Sequence, residues 1–361
     1  MTRTVRRHPA VSDETTTIPH DRLGRSGVPV SRLTLGAMNV GGPTSREDSI
    51  EIIHAALDAG ITVIDTADVY NQGASEEIVG EAIVGRRDEL ILATKFHGQI
   101  GDNPLHGGNS RRWIQRAVED SLRRLGTDRI DLYQAHRPDP HTPLLETIEA
   151  LNDLIHQGKI LYYGTSVFGV DEVVEAQLVA RQHGLIPPLT EQVPYSALIR
   201  LAERTILPVA RRYGLGVLTF GPLAAGWLNG SYREGAAQPE SARAARVWAG
   251  RFDVNDPSNA AKLAAAERIA RLAEQQGLSV PALALGFALS HPAVSSVIIG
   301  PRTREHLDSY LAAAATVLDD TVLDELDRIV PPGTTFLERD NGRIPVELTP
   351  AGLRRPRPIG R

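Results

Sequence analysis

Four side chains in the first half of the chain have the types and spacing for acid–base chemistry on an oxygen. Asp65 closes a short apolar run and Tyr70 follows in the next turn. Lys95 ends Ala93-Thr94-Lys95, and His136 ends Tyr133-Gln134-Ala135-His136. A free phenol titrates near pH ~10 and is a poor proton donor or acceptor at neutrality. A neighbouring ammonium favours the phenolate and lowers that value, and a carboxylate beside the ammonium keeps it charged and in place. A histidine hydrogen-bonds an oxygen and orients it. Together the four suit protonation of a carbonyl oxygen as hydride reaches its carbon. Each also has a plain structural reading: Asp65 as a loop cap, Tyr70 as a surface aromatic, Lys95 as a snorkelling strand end, His136 as a hydrogen-bonded core histidine. Their common placement at successive strand ends favours chemistry over four separate accidents.

Those strand ends belong to a repeating pattern. Apolar runs suited to buried parallel strands occur at Thr34–Gly36, Thr62–Asp65, Leu90–Lys95, Ile130–His136, Ile160–Ser166, Leu189–Val193, Gly216–Phe220 and Ser296–Gly300. Helical patterns follow. Ser45 caps one that stops at Gly60, Ser75-Glu-Glu opens the next, Ser110 and Pro143 open two more, and Asp171 caps one ending near Gly184. Further helices are expected at Leu201–Tyr213, Ala260–Gln276 and from Thr303, with two surplus at Pro281–Ser290 and Thr321–Ile329. Eight βα units without a break in composition predict a single α/β (β/α)8 TIM barrel, whose active site lies at the C-terminal ends of the strands. Asp21–Gly24 and Val28–Ser31, joined by Arg25-Ser26-Gly27, predict a β-hairpin plugging the bottom of that barrel.

The domain plan is then a flexible leader over 1–20, the barrel over 21–330, and a surface or partly disordered tail over 331–361. The charged, Thr-rich start lacks the apolar stretch of a secretory signal, and no run of about 18 apolar residues predicts a membrane span. With 42% hydrophobic and 23% charged residues and a formal charge of -5, nothing draws the chain to nucleic acid or an anionic membrane. It has no cysteine, which rules out disulfides and thiolate chemistry and is compatible with the expected cytoplasmic setting. No H-E-x-x-H or comparable metal set occurs. The long stretch Gly221–Pro257, with a short helix expected near Ser241–Trp248, and the Gly/Pro-rich Phe96–Asn109 both follow strands and would overhang the active face.

Several spaced motifs together resemble the aldo-keto reductases. They are Asp65-Thr-Ala-Asp-Val-Tyr70 with Gly73-Ala-Ser-Glu-Glu77, Ala93-Thr-Lys-Phe96, Ser121-Leu-Arg-Arg-Leu-Gly126 with Asp131-Leu-Tyr133, and His136-Arg-Pro-Asp139. Length, the long seventh loop and Gln192-Val-Pro-Tyr195 look most like the long-chain bacterial branch, which is similar to potassium-channel β subunits and to some deoxysugar reductases. The resemblance implies Tyr70 as general acid, Lys95 and Asp65 as its tuners, and His136 as the group that orients the carbonyl. It implies NADPH extended across the barrel mouth, since no G-x-G-x-x-G follows a strand. Gly36 and Gly300 would flank it, Ser166 and Gln192 would bond its carboxamide, and Phe220 would stack on the nicotinamide or serve as a core aromatic. Gly221, Leu223 and Ala224 would meet the pyrophosphate, with Arg243 as a clamp.

A strand leading into a helix N-terminus with two arginines is a phosphate site on physical grounds, because cations there ask for an anion. Arg302, Thr303 and Arg304, with His306, are therefore expected at the 2′-phosphate; the plain alternative is solvated arginines. Val167 stands where the family usually has Asn, and His306 and Tyr310 where it often has Gln and Asn. The substrate is expected to be a small carbonyl compound walled by Met38, Phe96, His97 and Trp227, with Tyr232 and Trp248 nearby. A competing reading is an NADPH-binding, redox-sensing regulatory protein with little turnover. A hydrolase or lyase on the same barrel lacks a nucleophile or metal set.

Overall fold

A computed structural model describes residues 18–237, 239 and 249–343. Eight parallel strands close a barrel in the order β10-β3-β4-β5-β6-β7-β8-β9. They are β3 (Leu33–Gly36), β4 (Val63–Asp65), β5 (Ile91–Phe96), β6 (Ile130–Ala135), β7 (Ile160–Ser166), β8 (Thr190–Pro194), β9 (Gly216–Phe220) and β10 (Ser296–Ile299). Each lies on one of the eight apolar runs. The strands are buried on both sides because helices cover the outside while side chains fill the inside.

Strand alternation sorts the residues. Val63, Ala93, Leu132, Leu189, Leu218 and Ile298 meet in the barrel interior. Their neighbours Leu33, Leu35, Ile64, Leu92, Tyr133 and Val297 join the larger core under the helices. The hairpin of β1 (His20–Arg22) and β2 (Pro29–Ser31) closes the bottom by adding Leu23 and Val30 to the interior cluster. Gly24 is needed there. It adopts φ +55°, and a Cβ on it would collide with the backbone of Gly216.

The helices are α1 (Arg46–Asp58), α2 (Ala74–Ala82), α3 (Arg111–Leu125), α4 (Leu144–His156), α5 (Val170–Gln182), α6 (Leu201–Arg204), α7 (Ile206–Tyr213), α8 (Ala249–Phe252), α9 (Ala260–Gln275), α10 (Val280–Ser290), α11 (Arg304–Ala313) and α12 (Asp320–Ile329). Ser45, Ser110 and Thr303 cap α1, α3 and α11 through side-chain oxygens that accept backbone N–H groups.

Two expectations need correction. Asp171 lies inside the first turn of α5, and Gly169 is the cap, its N–H donating to Glu172 Oε2 at 2.6 Å. The helix expected over Leu201–Tyr213 is two helices, because Thr205 (φ -116°, ψ -78°) interrupts it and turns its hydroxyl back to Leu201 O at 3.1 Å. The helix expected near Ser241–Trp248 lies outside the described residues.

Beyond α12 the chain packs against the barrel at least as far as Arg343. Asp340 is buried and bonds Lys262 Nζ (3.0 Å) and Arg251 Nε (2.7 Å), and Arg343 pairs with Glu172 at 2.8 Å. Among the described residues no helix is long and apolar enough to cross a membrane.

Candidate active site

Period-two alternation aims Asp65, Lys95, Gln134 and His136 toward the barrel axis at its C-terminal end. Register places Lys95 opposite Gln134 and Asp65 opposite Ala93. Tyr70 arrives differently. It opens a tight turn, Tyr70–Gly73, in which Asn71 and Gln72 adopt φ +49° and +60°. Non-glycine residues rarely take that conformation, and here Asn71 Nδ2 holds it by donating to Val40 O (2.6 Å) and Met38 O (3.2 Å).

The side chains meet around Lys95, which is 0% exposed. Its ammonium donates to Asp65 Oδ2 at 2.6 Å, Thr66 O at 2.8 Å and the Tyr70 hydroxyl at 3.4 Å. The Tyr70 and His136 rings lie edge to face, 5.7 Å apart. Asp65 also accepts from Gln134 Nε2 and Gln192 Nε2, each at 3.0 Å. Three donors on one carboxylate fix its orientation and make the Lys95 pair a fully satisfied buried network.

Protonation follows from burial and these neighbours. Burial draws the Lys95 ammonium down, but Asp65 and Tyr70 outweigh it and hold it above its ordinary value. Burial pushes the Tyr70 phenol up, and the counter-pull of Lys95 does not overcome that. The expected net lowering by Lys95 is thus reversed in sign: at neutrality Tyr70 carries its proton. Burial, with Lys95, Arg137 and His97, pushes His136 well below its usual range, so the imidazole is neutral.

Glu191 supports the neighbouring strand end from outside the barrel. It accepts Phe168 N at 3.1 Å and the Thr165 hydroxyl, bracing a turn in which Val167 adopts φ +57°. Burial pushes its carboxyl up to about 8. The folded state then holds a proton that the unfolded chain releases above its ordinary value of 4.5, so this contribution to stability is lost as pH climbs toward about 8. Glu191→Gln removes that titration. Urea unfolding of both proteins across this window should show the variant gaining relative stability as pH rises; an unchanged slope means that Glu191 is ionised in the fold.

The residues expected at the cofactor divide. Phe220 is half-buried at the end of β9, against the interior cluster. Leu223 (φ -89°) followed by Ala224 (φ +48°) is the right-then-left-handed pairing that turns successive N–H groups toward an anion, and Gly221 (φ +69°) opens the turn. The Ala224 N–H is itself committed to Gly221 O at 2.8 Å. Ser166 Oγ donates to Gln192 O at 3.1 Å. Gly36 leaves room for Ile298, whose Cγ2 would be 2.6 Å from an added Cβ, and Gly300 O accepts from Asn39 Nδ2 at 3.1 Å.

At α11, Thr303 Oγ1 accepts the N–H of exposed His306 at 3.2 Å. Arg304 is turned along its own helix to Asp308 at 2.9 Å, with Glu51 at 3.9 Å, so it is not an unpaired partner for phosphate. Arg302 is half-buried and has no carboxylate partner among the described residues. Arg243 lies outside the described residues.

Of the expected substrate wall, Met38 is 45% exposed and His97 half-buried at the mouth. Phe96 does not join them: one step past Lys95 it faces outward and packs on Tyr133, ring centroids 4.8 Å apart. Trp227 is also core. It is 2% exposed, stacked on Tyr232 at 4.3 Å, with Lys262 Nζ 4.5 Å from its ring centre. Gln134 and Arg137 were not expected at the site, whereas Asn109, at the end of the overhanging Phe96–Asn109 loop, is buried there and bonds His97 Nδ1 at 2.9 Å. Gln134 could have been found by counting back two residues from His136. A shallow surface hollow of about 600 Å³, lined by residues including Glu119, Arg123 and Lys159, sits at the opposite end of the barrel.

This barrel, with a lysine-centred cluster at its C-terminal mouth, agrees with the comparisons. The Aldo/keto reductase family model matches residues 32–331. The chain belongs to the aldo/keto reductase family. This aldo/keto reductase is 38% identical over 322 residues to an uncharacterized oxidoreductase, YrpG, of Bacillus subtilis, covering 86% of this chain and 95% of that one. It is 32% identical over 326 residues to a probable voltage-gated potassium channel subunit beta of Arabidopsis thaliana (86% and 96% covered). It is 34% identical over 325 residues to a putative subunit of the same kind from Schizosaccharomyces pombe (87% and 93% covered). Membership of the family makes carbonyl reduction by an oxidoreductase the reaction class.

Proposed function

We propose that the protein reduces an aldehyde or ketone to the alcohol with NADPH, Tyr70 acting as general acid. The observation that carries this reading is the Tyr70 hydroxyl, within 3.4 Å of a buried, charged Lys95 and beside a neutral His136. Bound NADPH supplies the hydride. His136 donates a hydrogen bond to the carbonyl oxygen and orients it. Tyr70 gives its proton to that oxygen as negative charge develops there, and the phenolate left behind is stabilised by Lys95 until solvent reprotonates it. Asp65 keeps Lys95 charged, and Gln134 and Gln192 hold Asp65.

The chain's own residues fit the cofactor. Phe220 offers a ring face, Gly221 and Leu223 line a backbone turn of anion-binding form, and Gln192 Oε1 and Ser166 Oγ can accept from a carboxamide. Arg302 with Thr303 favours a 2′-phosphate and hence NADPH over NADH. Arg302→Ala should weaken NADPH binding by about 1.5–3 kcal/mol, the worth of a charge-assisted contact, and NADH binding far less. Fluorescence titration with both nucleotides measures it, and equal losses would remove Arg302 from the 2′-phosphate.

The channel-subunit relatives support a second reading, an NADPH-bound barrel that reports redox state to a partner. Steady-state NADPH consumption with a panel of aldehydes, ketones and keto-sugars favours the reductase. Oxidation limited to one equivalent per chain favours the second reading.

A further inference from the structure

Arg137 follows His136 directly after β6, near enough for its charge to act on both Tyr70 and His136. Its side chain is half-buried. Its Nη1 is shut off from solvent and has no hydrogen-bond partner among the described residues. No carboxylate there pairs with it. Three of the more deeply buried arginines are paired instead: Arg124 with Glu76 at 2.6 Å, Arg87 with Asp131 at 2.7 Å, and Arg200 with Glu203 at 2.9 Å. A buried guanidinium without an anion is costly, because its desolvation is not offset by an ion pair.

The surroundings keep Arg137 unpaired and hold it in place. Asp139, two residues on, is turned away to Asn109 N (2.8 Å), Thr142 Oγ1 (2.7 Å) and His141 N (2.9 Å). Asn109 is buried and grips two sides of the mouth at once. Its Nδ2 donates to Arg137 O at 2.9 Å, and its Oδ1 accepts from His97 Nδ1 at 2.9 Å. His97 is held at φ +124°, a conformation for which only glycine is suited. Burial draws the Arg137 guanidinium below its ordinary value, the Tyr70 phenol opposes that shift and the Arg343 guanidinium adds to it, Arg343 being itself held by Glu172 at 2.8 Å.

We infer that Arg137 is a specificity-determining residue that takes a carboxylate of the substrate, so that the preferred substrates are carbonyl compounds bearing a carboxylate near the reducible group. The guanidinium fork matches a carboxylate with two parallel hydrogen bonds, and no carboxylate of the described residues occupies the edge that is not sealed off with Nη1. Placement next to His136 puts the charge recognition beside the groups that handle the carbonyl oxygen. Neutral carbonyls gain nothing from this contact.

The inference rests on the reductase reading for its turnover measurement, and a binding measurement stands apart from it. 4-Carboxybenzaldehyde and 4-nitrobenzaldehyde have similar size and differ in charge. The native protein should favour the carboxylate in kcat/KM, and Arg137→Met should lower the carboxylate-to-nitro ratio by at least ~10-fold, the scale of one charged hydrogen-bonded contact. Calorimetric titration with benzoate should show a matching loss of affinity in Arg137→Met, with thermal melting confirming that the variant is folded. If neither aldehyde is reduced, the reductase reading fails, and the benzoate titration still decides the role of Arg137. An unchanged ratio and unchanged benzoate affinity in folded Arg137→Met overturn the inference. If that variant does not fold, Arg137→Lys takes its place: a partial fall in both quantities upholds the carboxylate fork, and no fall in either overturns it.

Discussion

Replacing Tyr70 with Phe lowers steady-state carbonyl reduction by at least ~10²-fold, the usual scale for loss of a general acid, while NADPH affinity changes little. The ring stays, so its edge-to-face contact with His136 and the cation–π contact with Lys95 Nζ, 5.0 Å from the ring centre, survive. Only the proton leaves. Burial keeps that proton on the native phenol at neutral pH, so the variant removes a donor that is present in essentially every molecule. No other described group replaces it well: His136 is neutral and Lys95 is committed to Asp65 and Thr66. The loss should appear in kcat and kcat/KM alike, because the proton moves only in the transition state. A fully active Tyr70→Phe, measured by loss of NADPH absorbance, would exclude Tyr70 as the acid.

The barrel was legible in the sequence because buried parallel strands write themselves as short apolar runs, and eight of them alternate with capped helices. Asp65, Lys95 and His136 were legible for the same reason, since each ends such a run, and Tyr70 by its place in the turn that follows Asp65. What stayed hidden depends on facing and on partners. Phe96 and Trp227 are aromatics in or beside loops, and a sequence does not say whether a loop aromatic faces a ligand or the core. Alternation from Lys95 already sends Phe96 outward, whereas Trp227 is drawn inward by Tyr232 and Lys262, contacts between distant segments.

Arg304 and Asp308 were readable as an i,i+4 pair, and that pairing is what separates Arg304 from Arg302, which has no carboxylate partner among the described residues. The net direction of the Tyr70 shift was not readable at all. It is a contest between burial and Lys95, and burial is a property of the assembled fold. Arg137 was hidden for a related reason, since an unpaired arginine becomes informative only when every nearby carboxylate is seen to be taken.

Asp65→Asn is expected to cost about 3–5 kcal/mol of stability, the range for removing one partner of a buried ion pair, and to abolish reduction. Three donors converge on the native carboxylate: Lys95 Nζ on Oδ2, and Gln134 and Gln192 Nε2 on Oδ1. Asn has nearly the same shape but presents an amide N–H₂ to at least one of them, setting donor against donor. It also leaves the Lys95 ammonium, 0% exposed, without a counter-charge. That ammonium then sheds its proton or draws water inward, and Tyr70 loses the charge that stabilises its phenolate. Adding Lys95→Met to Asp65→Asn removes the unpaired charge, so the double variant should recover part of the lost stability while remaining inactive. Urea unfolding of the native protein, both single variants and the double variant gives the coupling between the two sites. Strictly additive losses would mean that the pair does not act as a unit, and the stability of the barrel mouth would then have to come from the glutamine bonds to Asp65 and from the backbone bond of Lys95 to Thr66.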